Sequence, residues 1–430
     1  MRHPEPGAQK VRVEGKLFKR GLLLPALSVL LQVGLGLFLG HAYDMRIFMA
    51  TGVLVGSGQN PYVPTDLGAF FHDSSFQGIP SFGYLPPWAQ VLGLIYLVSY
   101  RLLPNFLLYN LALKLPIIAA NICLAYLVAQ ILERFDVEEK VVRRAWIFML
   151  FNPFFLLTTA AWGQFDSIVA LLSLMSLVLL WEERLFHSAV LLALAIALKP
   201  TALPLLVVAL VHLWGKSARG ALRYLLTFSL SVILFGILPF ILLKWDPSVI
   251  FQHWNFHFTV GGGLSFMTFL EFTRWTVQLP GGWWWLGWLW LPALAIAAPA
   301  ARRIQRFDEL LKISAAFCLV FLLSRAWLSE TNLNLVLPLI LILVSIRQLD
   351  RFSLAVFWIL PLVFSFVNTS IAQLLFPSLP GQMQALLNWA VEHYQLRYFV
   401  RTILVAAWLV AGWRIALLCF RKTEATYSWS

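Results

Sequence analysis

Long apolar stretches separated by short polar or proline-containing junctions dominate this chain. They fall at 21–40, 107–131, 146–161, 167–181, 187–199, 201–214, 221–243, 284–300, 312–328, 333–346, 352–368 and 398–419. Crossing a hydrocarbon core takes about 20 apolar residues per helix, so the pattern predicts an all-α polytopic membrane protein with about twelve transmembrane helices. A further apolar run, 87–103, opens at Pro86-Pro87. Counting it as a crossing would put the basic loop Arg134, Lys140, Arg143, Arg144 outside and invert everything downstream, against the rule that cytoplasmic loops carry the excess of Lys and Arg. It is therefore expected to lie in the interface as a juxtamembrane helix.

The organisation that follows is a single domain over 1–430, with a cytoplasmic tail 1–20, a first external loop 41–86 leading into the juxtamembrane helix 87–103, and a second long external loop 244–283. Both termini are then cytoplasmic, and the expected location is the plasma (cell inner) membrane. The basic flank before the first apolar run suggests a secretory signal, but the run is of spanning length and no small-x-small site follows it, so it reads as a first helix with a cytoplasmic N-terminus. Between Glu182-Glu183-Arg184 and Lys216 the chain must go out and back in two short helices breaking at Lys199-Pro200, because proline removes a backbone donor. Irregular backbone at membrane depth is tolerated where it lines a cavity, which makes this tip a place to look for function.

Composition agrees: 60% hydrophobic and 12% charged residues, against about 45–50% and 25% in soluble domains, exclude a soluble globule. The net charge of +12 is read as topology and not as nucleic-acid binding. Cys123, Cys318 and Cys419 sit in apolar runs without metal-ligand spacing, so neither disulfides nor zinc are implied. No internal repeat or low-complexity linker is visible. Trp283, Trp284, Trp285, Trp288 and Trp290 read as an interfacial aromatic belt.

The polar chemistry concentrates on the external side. Asp44, three residues past the first helix, suits a general base if partial desolvation moves its pKa toward working pH, or else it is a solvated cap on a juxtamembrane helix. Asp166, in Trp162-Gly163-Gln164-Phe165-Asp166-Ser167, either caps the returning helix or faces a ligand. Asp66 and Asp73 read as solvated loop residues. Lys114, Lys199 and Arg325 are cations inside or beside apolar runs; a phosphate would explain them, as would snorkelling for Lys114 or an ion pair of Arg325 with Glu330. Arg397 and Arg401 read as interfacial anchors. His253 and His257 have the spacing of a metal pair without the glutamate of the usual motif, and Gly261-Gly262-Gly263 reads as a flexible loop element and not a phosphate loop.

Taken in order, Asp44, Gly58-Gln59-Asn60-Pro61-Tyr62, Tyr84-Leu85-Pro86-Pro87, Lys114-Leu115-Pro116, Asn152-Pro153, Trp162 through Ser167, Leu198-Lys199-Pro200 and Ser324-Arg325 through Glu330 resemble the GT-C superfamily of polyprenyl-phosphate-sugar-dependent glycosyltransferases. The pattern is most similar to the mannosyltransferases related to GPI-anchor enzymes and their bacterial and archaeal homologues. The resemblance implies two juxtamembrane helices in the first external loop. It implies that Asp44 deprotonates an acceptor hydroxyl while a hexose, mannose by analogy, leaves a polyprenyl phosphate with inversion. The acceptor would be a lipid-linked or cell-envelope glycan on the external face. Arg46, Tyr84, Lys114, Gln164, Asp166, Lys199, Arg325 and Glu330 are the expected substrate-binding residues. Family members often carry two acidic residues in the first loop where this chain has Asp44 followed by Arg46, so no metal and no other cofactor is expected. The competing readings are a transporter or flippase of lipid-linked sugars and a scaffold that has lost the chemistry.

Overall fold

A computed structural model describes residues 21–269, 276–278, 284–421 and 429. The tail 1–20, Glu271, Arg274 and Trp283 lie outside the described residues. The fold is almost wholly α-helical, and each apolar run overlaps a helix. Among the described residues, four helices are long and apolar enough to cross a membrane: Phe106–Arg134, Glu139–Ala161, Ala218–Leu242 and Tyr394–Phe420. Seven shorter apolar helices of 10–17 residues accompany them, among them Leu23–Phe38, Asp166–Trp181, Leu185–Leu198 and Arg351–Val367. The juxtamembrane candidate appears as Pro86–Val98.

The core is organised around Phe307–Leu323, in which every residue but Glu309 is buried, and Leu337–Ser345. Helices apolar on all sides belong at the centre of a bundle, and these two are. The run 312–328 is shifted from its expected bounds. Asp308 and Glu309 complement the helix N-terminus, with Asp308 paired to Arg306 at 2.7 Å, so the helix starts at Phe307. Its expected last residues leave it, and Trp327–Leu328 forms a strand.

That strand belongs to a three-stranded sheet that an all-α reading did not foresee. Val260–Gly263 is central, antiparallel to Thr276–Gln278 and parallel to Trp327–Leu328. The glycine run expected to be flexible is thus a paired strand. Gly263 has φ +65°, and a Cβ there would collide with the Leu328 carbonyl, so close backbone approach explains the glycine. The sheet ties the second long loop to the segment after Arg325.

The first loop is more structured than a loop. It opens with the helix Ala42–Gly56, which packs on Pro86–Val98 through glycine contacts: a side chain at Gly52 would meet the Tyr109 hydroxyl and the Leu92 carbonyl, and one at Gly93 would meet Val55. The segment that the resemblance expected to carry two juxtamembrane helices thus holds two packed helices. Asp66 and Asp73 accept from the backbone N–H of Gly68 and Ser75 at 2.9 and 2.8 Å, closing turns between them. A further helix, Pro380–Glu392, was not expected.

The break at Lys199-Pro200 is present: one helix ends at Leu198, Lys199 is extended (φ −152°, ψ 121°), and Pro200–Ala202 turns into Leu203–Lys216. At the other end of the bundle, Arg134 pairs with Glu182, Arg347 lies 4.0 Å from Glu138, and Arg414 bonds Asp350 at 2.6 Å. Buried polar groups lock the helices in register. Asn121 donates to Gln32 and Thr159 at 2.7 and 2.9 Å, and Gln32 donates to Ser28. Thr159 lies in a π-helical turn, Leu157–Ala161, that delivers Trp162 to the site.

Candidate active site

Asp44 sits in the first turn of Ala42–Gly56, where an acidic residue is favoured. Its Oδ2 accepts from Trp162 Nε1 at 2.6 Å and lies 3.2 Å from His41 Nδ1. The imidazole stacks on the Trp162 indole, centroids 4.1 Å apart and planes 8° off parallel, while the His41 N–H donates to the Trp162 carbonyl at 3.1 Å. Burial pushes the Asp44 carboxyl up, but contacts with His41, Trp162 and Gln164 outweigh it, and the net shift is below the ordinary carboxylate value. The expected upward shift is therefore corrected: Asp44 is a half-buried, ionised carboxylate with 15% side-chain exposure and not a solvated cap.

The turn that brings Trp162 and Gln164 onto Asp44 depends on Gly163. Its φ is +97°, and a Cβ there would collide with Met45 Sδ and approach Lys114 Cε to 3.1 Å. Gly163→Ala is expected to cost several degrees of apparent melting temperature in detergent and to quench transfer more than its stability loss explains. An alanine variant with wild-type melting and activity would rule out this role for the turn.

Asp166 is the first residue of Asp166–Trp181, and the preceding Phe165 makes no side-chain cap. Instead of capping, Asp166 accepts from Lys199 Nζ at both oxygens, 2.9 and 2.7 Å, and from the Thr331 side chain. Both partners of the pair are buried, and Lys199 also lies over the Phe165 ring at 5.7 Å. Lys199 is thus neutralised by Asp166 and is not a free cation waiting for phosphate. Asp44 and Asp166 act on each other electrostatically, and both face Tyr84. Burial and then these two charges push the Tyr84 phenol well above its usual value, while Gln164 donates to it.

The remaining expected residues divide. Glu330 is buried near His41 and accepts from Ser370 and Asn368 at 3.0 and 3.3 Å; it does not pair with Arg325. Among the described residues Arg325 has neither an ion pair nor a hydrogen bond, and its guanidinium lies over Phe321 at 5.0 Å. Lys114 is fully buried and does not snorkel; it donates to the carbonyls of Gly36, Leu39 and Ala161, which caps two helix ends. Arg46 donates to Ala42 and Ser75 carbonyls, both at 2.8 Å. Lys114 and Arg46 are therefore both engaged by backbone carbonyls. Arg397 likewise donates to the carbonyls of Val367 and Ala390. His253 contacts Ser81, and the His257 side chain lies outside the described residues.

His41, Trp162 and Thr331 are the site residues that the sequence reading did not single out. A signal existed for two of them: His41 stands three residues before Asp44, one helical turn, and Trp162 opens the same motif as Gln164 and Asp166. Thr331 offered none, because only the packing of Glu330–Leu335 on Asp166–Trp181 brings it near.

The sequence model of Glycosyltransferase family 87 matches residues 86–328, more than half of the chain. The protein belongs to this glycosyltransferase family. The matched span holds Gln164, Asp166, Lys199 and Arg325, whereas Asp44 and Glu330 flank it. No characterised protein matches by sequence. Among solved structures, the chain is similar to ArnT from Cupriavidus metallidurans, solved with undecaprenyl phosphate. Identity is 14% and the TM-score 0.45, over 93% of this chain and 76% of that one.

Proposed function

We propose that the protein transfers a hexose, mannose in the first instance, from a polyprenyl-phosphate donor to a lipid-linked or cell-envelope acceptor, with inversion, on the external face of the plasma membrane. The observation that carries this reading is the Asp44 carboxylate, half-buried and held ionised by His41 and Trp162 beside the Asp166–Lys199 pair, in a chain of a glycosyltransferase family. The acceptor oxygen attacks the anomeric carbon as its proton passes to Asp44. Because Trp162 and His41 both address Oδ2, Oδ1 is the oxygen left to take it. The bond from the anomeric carbon to the phosphate oxygen breaks with its electron pair on the leaving polyprenyl phosphate, whose charge Arg325, without an ion pair among the described residues, would stabilise. The base is weak but ionised, which suffices where bond breaking to the leaving group runs ahead of proton transfer.

Clustering of basic residues at the end of the bundle away from Asp44 supports cytoplasmic termini and an external site. The donor chemistry supports a metal-independent reaction: Asp166 is engaged by Lys199 and Asp44 by Trp162 and His41, leaving no pair of free carboxylates for a hard cation. The test is transfer of labelled sugar from synthetic polyprenyl-phosphate mannose into membrane lipids, with and without chelator. Transfer that survives chelation is expected. Transfer from a different polyprenyl-phosphate hexose would change the sugar alone, whereas transfer from a nucleotide sugar and from no lipid donor would refute the donor class.

A further inference from the structure

Four buried side-chain oxygens around the Asp166–Lys199 pair have no hydrogen-bond partner among the described residues: Gln164 Oε1, Ser167 Oγ, Thr201 Oγ1 and Asn332 Oδ1. Their residues are 4%, 0%, 3% and 5% exposed. They come from three segments that pack on one another. Gln164 and Ser167 bracket Asp166, Thr201 follows Lys199 by two residues, and Asn332 follows Thr331, which bonds Asp166. The helix Asp166–Trp181, the turn Pro200–Ala202 and the turn Glu330–Leu335 each pack on the other two. Interiors hold few unpaired polar atoms, so several around one ion pair, beside a reacting carboxylate, call for a ligand.

Their chemistry says which kind. Gln164 Oε1 and Asn332 Oδ1 are amide oxygens that only accept, while the Ser167 and Thr201 hydroxyls donate or accept. Two pure acceptors next to the Asp166 carboxylate repel a phosphate, which brings no protons to share. They suit a ring of hydroxyl groups, each a donor and an acceptor. We propose that Gln164, Ser167, Thr201 and Asn332 form a subsite for the hydroxyls of a pyranose ring, with the Asp166–Lys199 pair at its floor, and that the phosphate lies elsewhere, toward Arg325. This subsite deepens the transfer reading and rests on it. The ring belongs to the donor hexose or to a sugar of the acceptor.

The test uses the full chain in detergent with Thr201→Val, Asn332→Leu and Ser167→Ala. Deleting an atom that has no partner in the free protein leaves apparent melting unchanged or raised, whereas loss of a ligand contact lowers kcat/KM by about 3- to 30-fold in each variant. Varying polyprenyl-phosphate mannose and acceptor in turn shows whose KM moves, which assigns the ring. Binding is read separately as the extra thermal stabilisation by polyprenyl-phosphate mannose over polyprenyl phosphate alone, or by acceptor over buffer, and this sugar-dependent part shrinks in the variants. Wild-type kcat/KM and sugar-dependent stabilisation in all three would overturn the subsite, as would activity losses matched by losses of melting temperature. If the wild type binds the sugar but transfers none, the transfer reading fails, and the stabilisation measurements still decide the subsite.

Discussion

Transfer by Asp44→Asn is expected to fall by about 10²- to 10⁴-fold, the range associated with loss of a positioned general base. The protein should remain folded, because the amide keeps the shape of the carboxylate and its oxygen still accepts from Trp162 Nε1. Radiolabel transfer at equal expression, together with monodispersity on gel filtration, measures both. Near-wild-type transfer by the folded variant would remove Asp44 from the mechanism. The pH dependence follows from the downward shift. Asp44 must be ionised to accept a proton, and its pKa in the folded protein lies below the ordinary value of 3.8. Its stabilising contribution is therefore complete above the unfolded value and lost only as pH falls through the folded one. An acid limb of activity near pH 6 would have to come from another group or from bound substrate.

Lys199→Met should be the most damaging single change to the fold. Asp166 would be left as a carboxylate with 1% side-chain exposure and no counter-charge, a loss of about 3–5 kcal/mol for a broken buried pair. The apparent melting temperature in detergent should drop sharply. Adding Asp166→Asn to Lys199→Met removes the stranded charge, so the double variant should regain most of the stability without regaining transfer. A single Lys199→Met variant as stable as wild type would show that the pair does not hold the three segments together.

Much of the architecture was legible in the chain. Apolar run length marked the helices, since backbone groups in hydrocarbon must be satisfied within the segment. The break at Lys199-Pro200 followed from proline chemistry, and the apolar run after Pro86-Pro87 is a helix, Pro86–Val98. Asp44 and Asp166 were visible as carboxylates bordering apolar runs. Two things were not. The glycine run could not be distinguished from a flexible loop, because one of its two pairing partners, Trp327–Leu328, is more than sixty residues away and ended an apolar run that read as helix.

The fates of the cations were equally hidden. Lys114, Lys199 and Arg325 look alike in sequence, as lone charges in apolar surroundings. The fold gives Lys114 three carbonyls, Lys199 a carboxylate, and Arg325 an aromatic face with no ion pair among the described residues. The sequence by itself determined which segments form apolar helices and which residues carry charge inside or beside them. Only the tertiary structure decided which of those charges are consumed by the protein and which remain for a substrate, because a buried charge takes the nearest partner in space, and that partner comes from another helix.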